Sequence, residues 1–243
     1  MPITARTVEY TTAEGLTLQS YLCLPQQPES GLAGVLVAPE WWGLSGHAKR
    51  AAERLAEQGY AAMAMDLYGD ARLTDDAAQA NEWMSAALAD PATLVGRTRL
   101  GLQALAAQPE VDGSRIGAIG FCFGGRVVLD MARRGEDLKA VASFHGILAT
   151  PEPARKGSVK GELLIEHAGL DSMVPMEAVE AFRQEMDHAQ ARYHIDVFPH
   201  AKHGFTNPQA TCNGEKNGVD LAYNEADAEA AWQNMLGLLA RAL

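Results

Sequence analysis

The sequence predicts an α/β fold, a mostly parallel central sheet flanked by helices on both faces. Three observations carry that expectation. Residues 34–38 (GVLVA) are an unbroken apolar run, the pattern of a strand buried on both of its faces. Runs of this kind alternate along the chain with segments of helical period, which implies right-handed crossovers between parallel strands. Third, the strand expected over residues 115–119 passes through a glycine-rich turn directly into a helix.

The elements follow in order. Residues 7–11 and 16–24, with a turn at Ala13-Glu14-Gly15, read as an antiparallel hairpin ending at Pro25. After the strand 34–38, Ser45 caps a helix with Ala48, Ala51, Ala52, Leu55 and Ala56 on one face and Gly59 at its end. Residues 60–65 form the next short strand. Thr74 is expected to cap another helix, with Asp75 and Asp76 in the first turn, where the helix dipole favours acids. Asp90-Pro91 restarts a helix, Pro91 being suited to its first position. Beyond Asp112-Gly113 come the strand 115–119 and a helix from about Gly125 to Arg134. Residues 139–144, 162–167 and 193–198 read as three more strands, with a helix over 176–189 between the last two. Asn224 opens the final helix, with Glu225 and Asp227 at its start and Arg241 near its end. Residues 208–221 (PQATCNGEKNGVDL) show no periodicity and read as a polar loop, of a length that often serves as a lid or binding element.

Composition narrows the class of function. The length of 243 residues fits one α/β domain, taken as 1–243, and no repeats or low-complexity tracts interrupt it. Apolar residues make up 47% and charged residues 21%, as in ordinary globular domains. A net charge of −11 argues against a nucleic-acid or anionic-membrane partner, because phosphate attraction needs a basic face. No stretch reaches the ~20 apolar residues of a spanning helix. The first ten residues carry Arg6 and Glu9 and have no apolar core of a secretory signal, so the expected location is the cytoplasm. Cys23, Cys122 and Cys212 are sparse and lack C-x-x-C spacing, which excludes a disulfide framework and a structural zinc site.

The sharpest feature is Gly120-Phe121-Cys122-Phe123-Gly124-Gly125. This is G-x-C-x-G between a strand and a helix, the thiol version of the nucleophile elbow. At this chain's glycine and cysteine frequencies the pattern is expected by chance about 0.03 times. A nucleophile on such a turn points out over the sheet edge, and side chains two positions away would collide there; glycine removes the collision. The helix that follows sets its positive end under the sulfur and favours the thiolate. The competing reading is a buried cysteine in a glycine-rich turn, since free cysteine is among the most buried residues.

An elbow needs an acid and a base in the chain order nucleophile, acid, base. Asp171 lies just after the apolar strand that includes residues 163–165, and His203 lies in the loop after the strand ending at Phe198. Both stand beyond carboxyl ends of strands, where ligands bind in open α/β sheets. In that arrangement His203 accepts the thiol proton, while Asp171 orients the imidazole and stabilises its cation. His200 and His203 also form H-x-x-H, but without an H-E-x-x-H helix or a Cys/His cluster, so no metal is expected. No cofactor is expected either.

Glu40 follows the buried strand 34–38, beside Trp41 and Trp42. A carboxylate near a thiol resists thiolate formation, so Glu40 is a candidate for holding Cys122 protonated until substrate displaces it. The backbone N–H groups of Trp41 and Phe123 are the candidate oxyanion donors. Trp42, Phe121, His145 and Phe205 are candidates for the pocket lining. For His145 a buried, hydrogen-bonded role is an equal alternative.

These residues resemble the dienelactone hydrolase family, a cysteine-nucleophile branch of the α/β-hydrolase fold. The resemblance runs over roughly residues 15–239. It is anchored on Pro39-Glu40-x-x-Gly43, Asp66-Leu67-Tyr68, the elbow at Cys122, Gly169-x-Asp171 and His203-Gly204-Phe205. It implies a triad of Cys122, Asp171 and His203, with Glu40 contacting the resting thiol and taking part in its activation. It also implies hydrolysis of a cyclic enol-lactone through an acyl thioester, without metal or cofactor. The family grips a substrate carboxylate with arginines, one a few residues after the catalytic histidine. Here that stretch reads Phe205-Thr206-Asn207-Pro208, with no arginine before Arg241. A small ester or lactone is therefore the expected partner, in a broader sense than dienelactone. Two other readings stand beside this one. Glutamine-amidotransferase-like proteins also place cysteine on an elbow, usually followed by histidine, where Phe123 stands here. A degenerate hydrolase acting as a ligand-binding or thiol-sensing protein would keep Cys122 without turnover.

Overall fold

The chain opens on the expected hairpin: β1 (Ile3–Thr11) pairs antiparallel with β2 (Thr17–Pro25), Tyr10 opposite Leu18. The structure, a computed structural model, describes residues 1–28 and 30–243. It divides into two compact units, residues 1–118 and 119–243.

The first unit continues with β3 (Leu32–Ala38), α1 (Gly46–Glu57), β4 (Ala61–Ala64), α2 (Ala77–Ala89), α3 (Pro91–Ala106) and most of β5 (Val111–Phe121). Its strands lie in the order β1-β2-β4-β3-β5. β4 is antiparallel to β2 and parallel to β3. The apolar run predicts the burial well, since residues 33–38 of β3 and all of β4 are buried. α1 covers them with the five residues expected, Ala48, Ala51, Ala52, Leu55 and Ala56, and Ser45 accepts the Ala48 N–H as its cap.

Several boundaries differ from expectation. Asp76, not Thr74, caps α2, accepting from Ala78 and Gln79, while Thr74 only accepts the Asp76 N–H. A carboxylate is the stronger acceptor for N–H groups at a helix start, so it sets the register. Asp90 caps α3 and Pro91 opens it, as predicted. β5 begins earlier than expected, at Val111. Asp112 accepts from Ser114 in a local bond that leaves the strand unbroken, so the Asp-Gly pair is no turn here.

The second unit holds the end of β5, then α4 (Phe123–Arg133), β6 (Ala140–Phe144), β7 (Glu162–Ala168), α5 (Met176–Ala189), β8 (Arg192–Phe198), α6 (Ala210–Asn217) and α7 (Glu225–Ala242). β6, β7 and β8 are parallel, with Ser143 opposite Ile165 and Ile165 opposite Ile195. α4 starts at Phe123, two residues before the expected start, because the glycines of the elbow sit in its first turn. The segment 208–221 is not a structureless loop. It contains α6, which buries only Ala210 and Gly214 and ends on Gly218 in the left-handed conformation. Two small residues one turn apart leave no apolar stripe for periodicity to find. Among the described residues no helix is long and apolar enough to cross a membrane.

Candidate active site

Cys122 stands where β5 ends and α4 begins. Its backbone has φ 53° and ψ −117°, an uncommon conformation for a residue with a side chain, costing on the order of 1–3 kcal/mol. The neighbourhood over-determines it. The Cys122 N–H donates to the Phe144 carbonyl at 3.0 Å, and the Cys122 carbonyl accepts from Arg126 and Ile147. A Cβ on Gly120 would collide with the Gly124 backbone, and one on Gly125 would lie 2.7 Å from Gly146 Cα. Glycine is thus required by close backbone approach on both sides of the cysteine. Cys122 as a residue is buried, 7% exposed.

Asp171 and His203 come together as the chain order implied. His203 Nδ1 is 2.7 Å from Asp171 Oδ2, and both groups are buried. The other oxygen, Oδ1, accepts the backbone N–H groups of Met173 and Val174, each at 2.9 Å, so the carboxylate is fixed before the imidazole meets it. Burial alone would lower the His203 pKa. The charge of Cys122, followed by the hydrogen bond to Asp171, more than offsets this and raises it to about 10. Nε2 of His203 is buried away from any nitrogen or oxygen partner among the described residues, while a hydrogen bond from the Cys122 side chain to the imidazole adds to its raised pKa. It is the ring nitrogen left for chemistry. His167 of β7 lies in the same electrostatic neighbourhood. Its pKa is lowered by burial, with Asp171 opposing that and His203 adding to it.

The aromatic candidates of this unit are packed rather than open. Phe121 stacks on Phe144 at 5.0 Å, Phe205 packs on Phe198 at 5.1 Å, and His145 meets Phe205 at 5.4 Å and His203 at 5.2 Å. Phe121, Phe205 and Phe123 are each at most 1% exposed, and His145 is fully buried with Nε2 2.8 Å from Thr206 Oγ. Of the two readings for His145, the structure has the buried and hydrogen-bonded one. His200 is exposed while His203 is buried on Asp171, so the H-x-x-H pair does not converge. No cluster of three His, Cys, Asp or Glu side chains able to hold a metal occurs among the described residues.

The remaining candidates lie in the first unit. Glu40 is buried just past β3, and its Oε2 is 3.4 Å from His47 Nδ1 in the first turn of α1. Sequence reasoning missed His47; its one available signal was its position at the helix start that follows the Glu40 loop. Trp42 is buried, and Trp41 meets it edge-to-face at 4.9 Å while its carbonyl accepts the Tyr68 hydroxyl at 3.1 Å. That hydroxyl belongs to the Asp66-Leu67-Tyr68 anchor. The Asp66 carboxylate accepts four backbone N–H groups, from Gln19, Tyr68, Gly69 and Ala71 at 2.8–3.1 Å. Its role is architectural, shaping the loop after β4.

Comparisons with known proteins identify the family. The model of the dienelactone hydrolase family matches residues 18–243. The solved structure titled m3DLH is 36% identical, with a TM-score of 0.92, and each chain is covered to 99%. A dienelactone hydrolase-like promiscuous phosphotriesterase from metagenomic libraries is 34% identical, with a TM-score of 0.91 over 100% of this chain and 99% of its own. An Escherichia coli (strain K12) relative, provisionally named carboxymethylenebutenolidase, is 29% identical over 92% of this chain and 82% of its own length. On the α/β-hydrolase fold, the elbow and the full-length match, the chain belongs to the dienelactone hydrolase family and is a carboxylic ester hydrolase.

Proposed function

We propose that this hydrolase cleaves small esters or lactones through an acyl thioester on Cys122, with His203 and Asp171 completing the triad. The observation that carries the reading is the 2.7 Å bond from His203 to Asp171 on an imidazole whose proton affinity is raised first by the charge of Cys122. His203 takes the thiol proton, and the thiolate attacks the acyl carbon. The carbonyl oxygen becomes an oxyanion, received by the backbone N–H groups of Phe123 and Trp41. As the tetrahedral intermediate collapses, the C–O bond to the leaving alkoxide breaks and His203 protonates it. Water then attacks the thioester, gives its proton to His203, and the acid departs as the thiol is restored. Glu40, buried just past β3, is the acid that takes part in activating the thiol.

Substrate breadth follows from the residues after the base. Thr206, Asn207 and Pro208 carry no positive charge, so an uncharged acyl or alkyl group is accepted where a carboxylate would need an arginine. The relatives' names point to an enol-lactone and, for one, to phosphotriesters. The chain is read as one hydrolase domain over 1–243, on the family match across residues 18–243. Three free cysteines suit a reducing cytoplasm.

The reading is tested with p-nitrophenyl acetate. Rapidly quenched enzyme should carry an acyl adduct on Cys122 by mass spectrometry, and Cys122→Ala should abolish turnover. Turnover that survives that substitution sinks the proposal. A thiol that alkylates stoichiometrically without any turnover of esters or lactones supports the binding or thiol-sensing protein instead.

A further inference from the structure

We propose that His145, tied to Thr206, is a positioning residue that fixes the imidazole of His203 in the orientation that serves Cys122. The inference rests on the triad reading above. His145 follows β6 with φ +38°, in the left-handed region that residues with side chains seldom occupy, and it is fully buried. Such a conformation persists only where the surroundings hold it, and strained residues of this kind gather at functional sites. Several contacts hold this one, three of them directional. Its N–H donates to the Glu166 carbonyl at 2.8 Å, its Nε2 is 2.8 Å from Thr206 Oγ, and its ring meets His203 edge-to-face at 5.2 Å.

The same four residues, 144–147, also grip the nucleophile. The Phe144 carbonyl accepts the Cys122 N–H at 3.0 Å, and the Ile147 N–H donates to the Cys122 carbonyl at 3.4 Å. One short segment therefore locates the main chain of the nucleophile and abuts the ring of the base. His203 needs such a neighbour. It sits on a loop, followed at once by Gly204 with φ +76°, and its bond to Asp171 holds the ring at Nδ1. A tilt of the ring about that contact would carry Nε2 away from the sulfur. A ring packed against His203 opposes the tilt. Packing alone would be met by phenylalanine. The histidine is explained by Thr206, three residues after the base, because their bond locates loop and ring by one contact.

The titratable groups around His203 are Cys122 at the start of α4, Asp171 after β7, His167 on β7 and His145 after β6. A change in the His203 orientation should therefore be read in the pH dependence of the Cys122 thiol as well as in turnover. The experiment compares Thr206→Val, His145→Phe and Thr206→Ser for kcat and KM on p-nitrophenyl acetate, for the pH profile of Cys122 alkylation by iodoacetamide, and for melting temperature. Thr206→Val and His145→Phe should lower kcat roughly ten- to a hundredfold, with KM changed less than about twofold, and displace the alkylation profile. Thr206→Ser should recover most of both. A wild-type kcat and alkylation profile in Thr206→Val overturns the proposal. So does a loss that merely tracks the folded fraction while the profile stays in place. Failure of the triad reading would show separately, as turnover that survives Cys122→Ala.

Discussion

His203 binds Asp171 through Nδ1 at 2.7 Å, while Asp171 spends its other oxygen on the backbone of Met173 and Val174. The acid is thus anchored on one side and the base on the other, and the base has one nitrogen left over. Its raised pKa makes a specific statement about Cys122, whose charge is the largest influence raising it.

Replacing Cys122 by alanine should therefore lower the titration midpoint of His203 from about 10. Followed by NMR of the ring protons, the shift should exceed that of any other histidine. Stability should change in step. A histidine whose pKa is raised on folding contributes stability that is complete below its unfolded value near 6.5 and lost as pH rises through about 10. In Cys122→Ala the decline over that interval should shrink. An unmoved midpoint would show that the imidazole owes its proton affinity to Asp171 alone.

Much of this arrangement was legible in the sequence, and the reasons differ by residue. Gly120 and Cys122 were legible because close backbone approach leaves a fixed-spacing signature. β3 was legible because a strand covered on both faces must be apolar throughout. Asp171 and His203 were legible only as a pair, from chain order behind an elbow. α6 was hidden, since burying Ala210 and Gly214 asks for small residues rather than apolar ones. Thr206 and His47 were hidden because the contacts that mark them, to His145 and to Glu40, are set by tertiary packing. A single contact of that kind has no period and no motif.

Glu166 stands opposite Asp196 in the register of β7 and β8, fully buried, and its pKa is raised to about 8, first by burial and then by the charge of Asp196. Asn234 opposes the shift. A carboxyl that is easier to protonate in the folded state contributes stability that is complete below its unfolded pKa near 4.5. That stability is lost as pH rises through about 8. Glu166→Gln keeps the shape and cannot ionise. Urea unfolding should find the variant close to wild type at pH 5 and more stable at pH 9, by an amount on the order of a few kcal/mol. Equal stabilities at pH 9 would mean that the carboxylate is solvated or paired there.

Gly125→Ala tests the elbow without touching any reacting group. The added Cβ would lie 2.5 Å from Ser143 Oγ and 2.7 Å from Gly146 Cα, so the start of α4 and the segment after β6 must separate. The Ser143 side chain lies on a buried strand and has little room to turn away, and Gly146 meets the new atom with backbone. Overpacking of this kind costs typically about 1–3 kcal/mol. The displaced segment is the one whose Phe144 carbonyl and Ile147 N–H hold Cys122, so the nucleophile should move with it. The expected result is a lower melting temperature together with a fall in kcat of roughly a hundredfold, the cost of misplacing a reacting group by about an ångström. The two effects are separable at temperatures where the variant is fully folded. A folded Gly125→Ala enzyme with wild-type kcat would show that the turn tolerates a side chain there and that glycine is not needed for the geometry of the thiol.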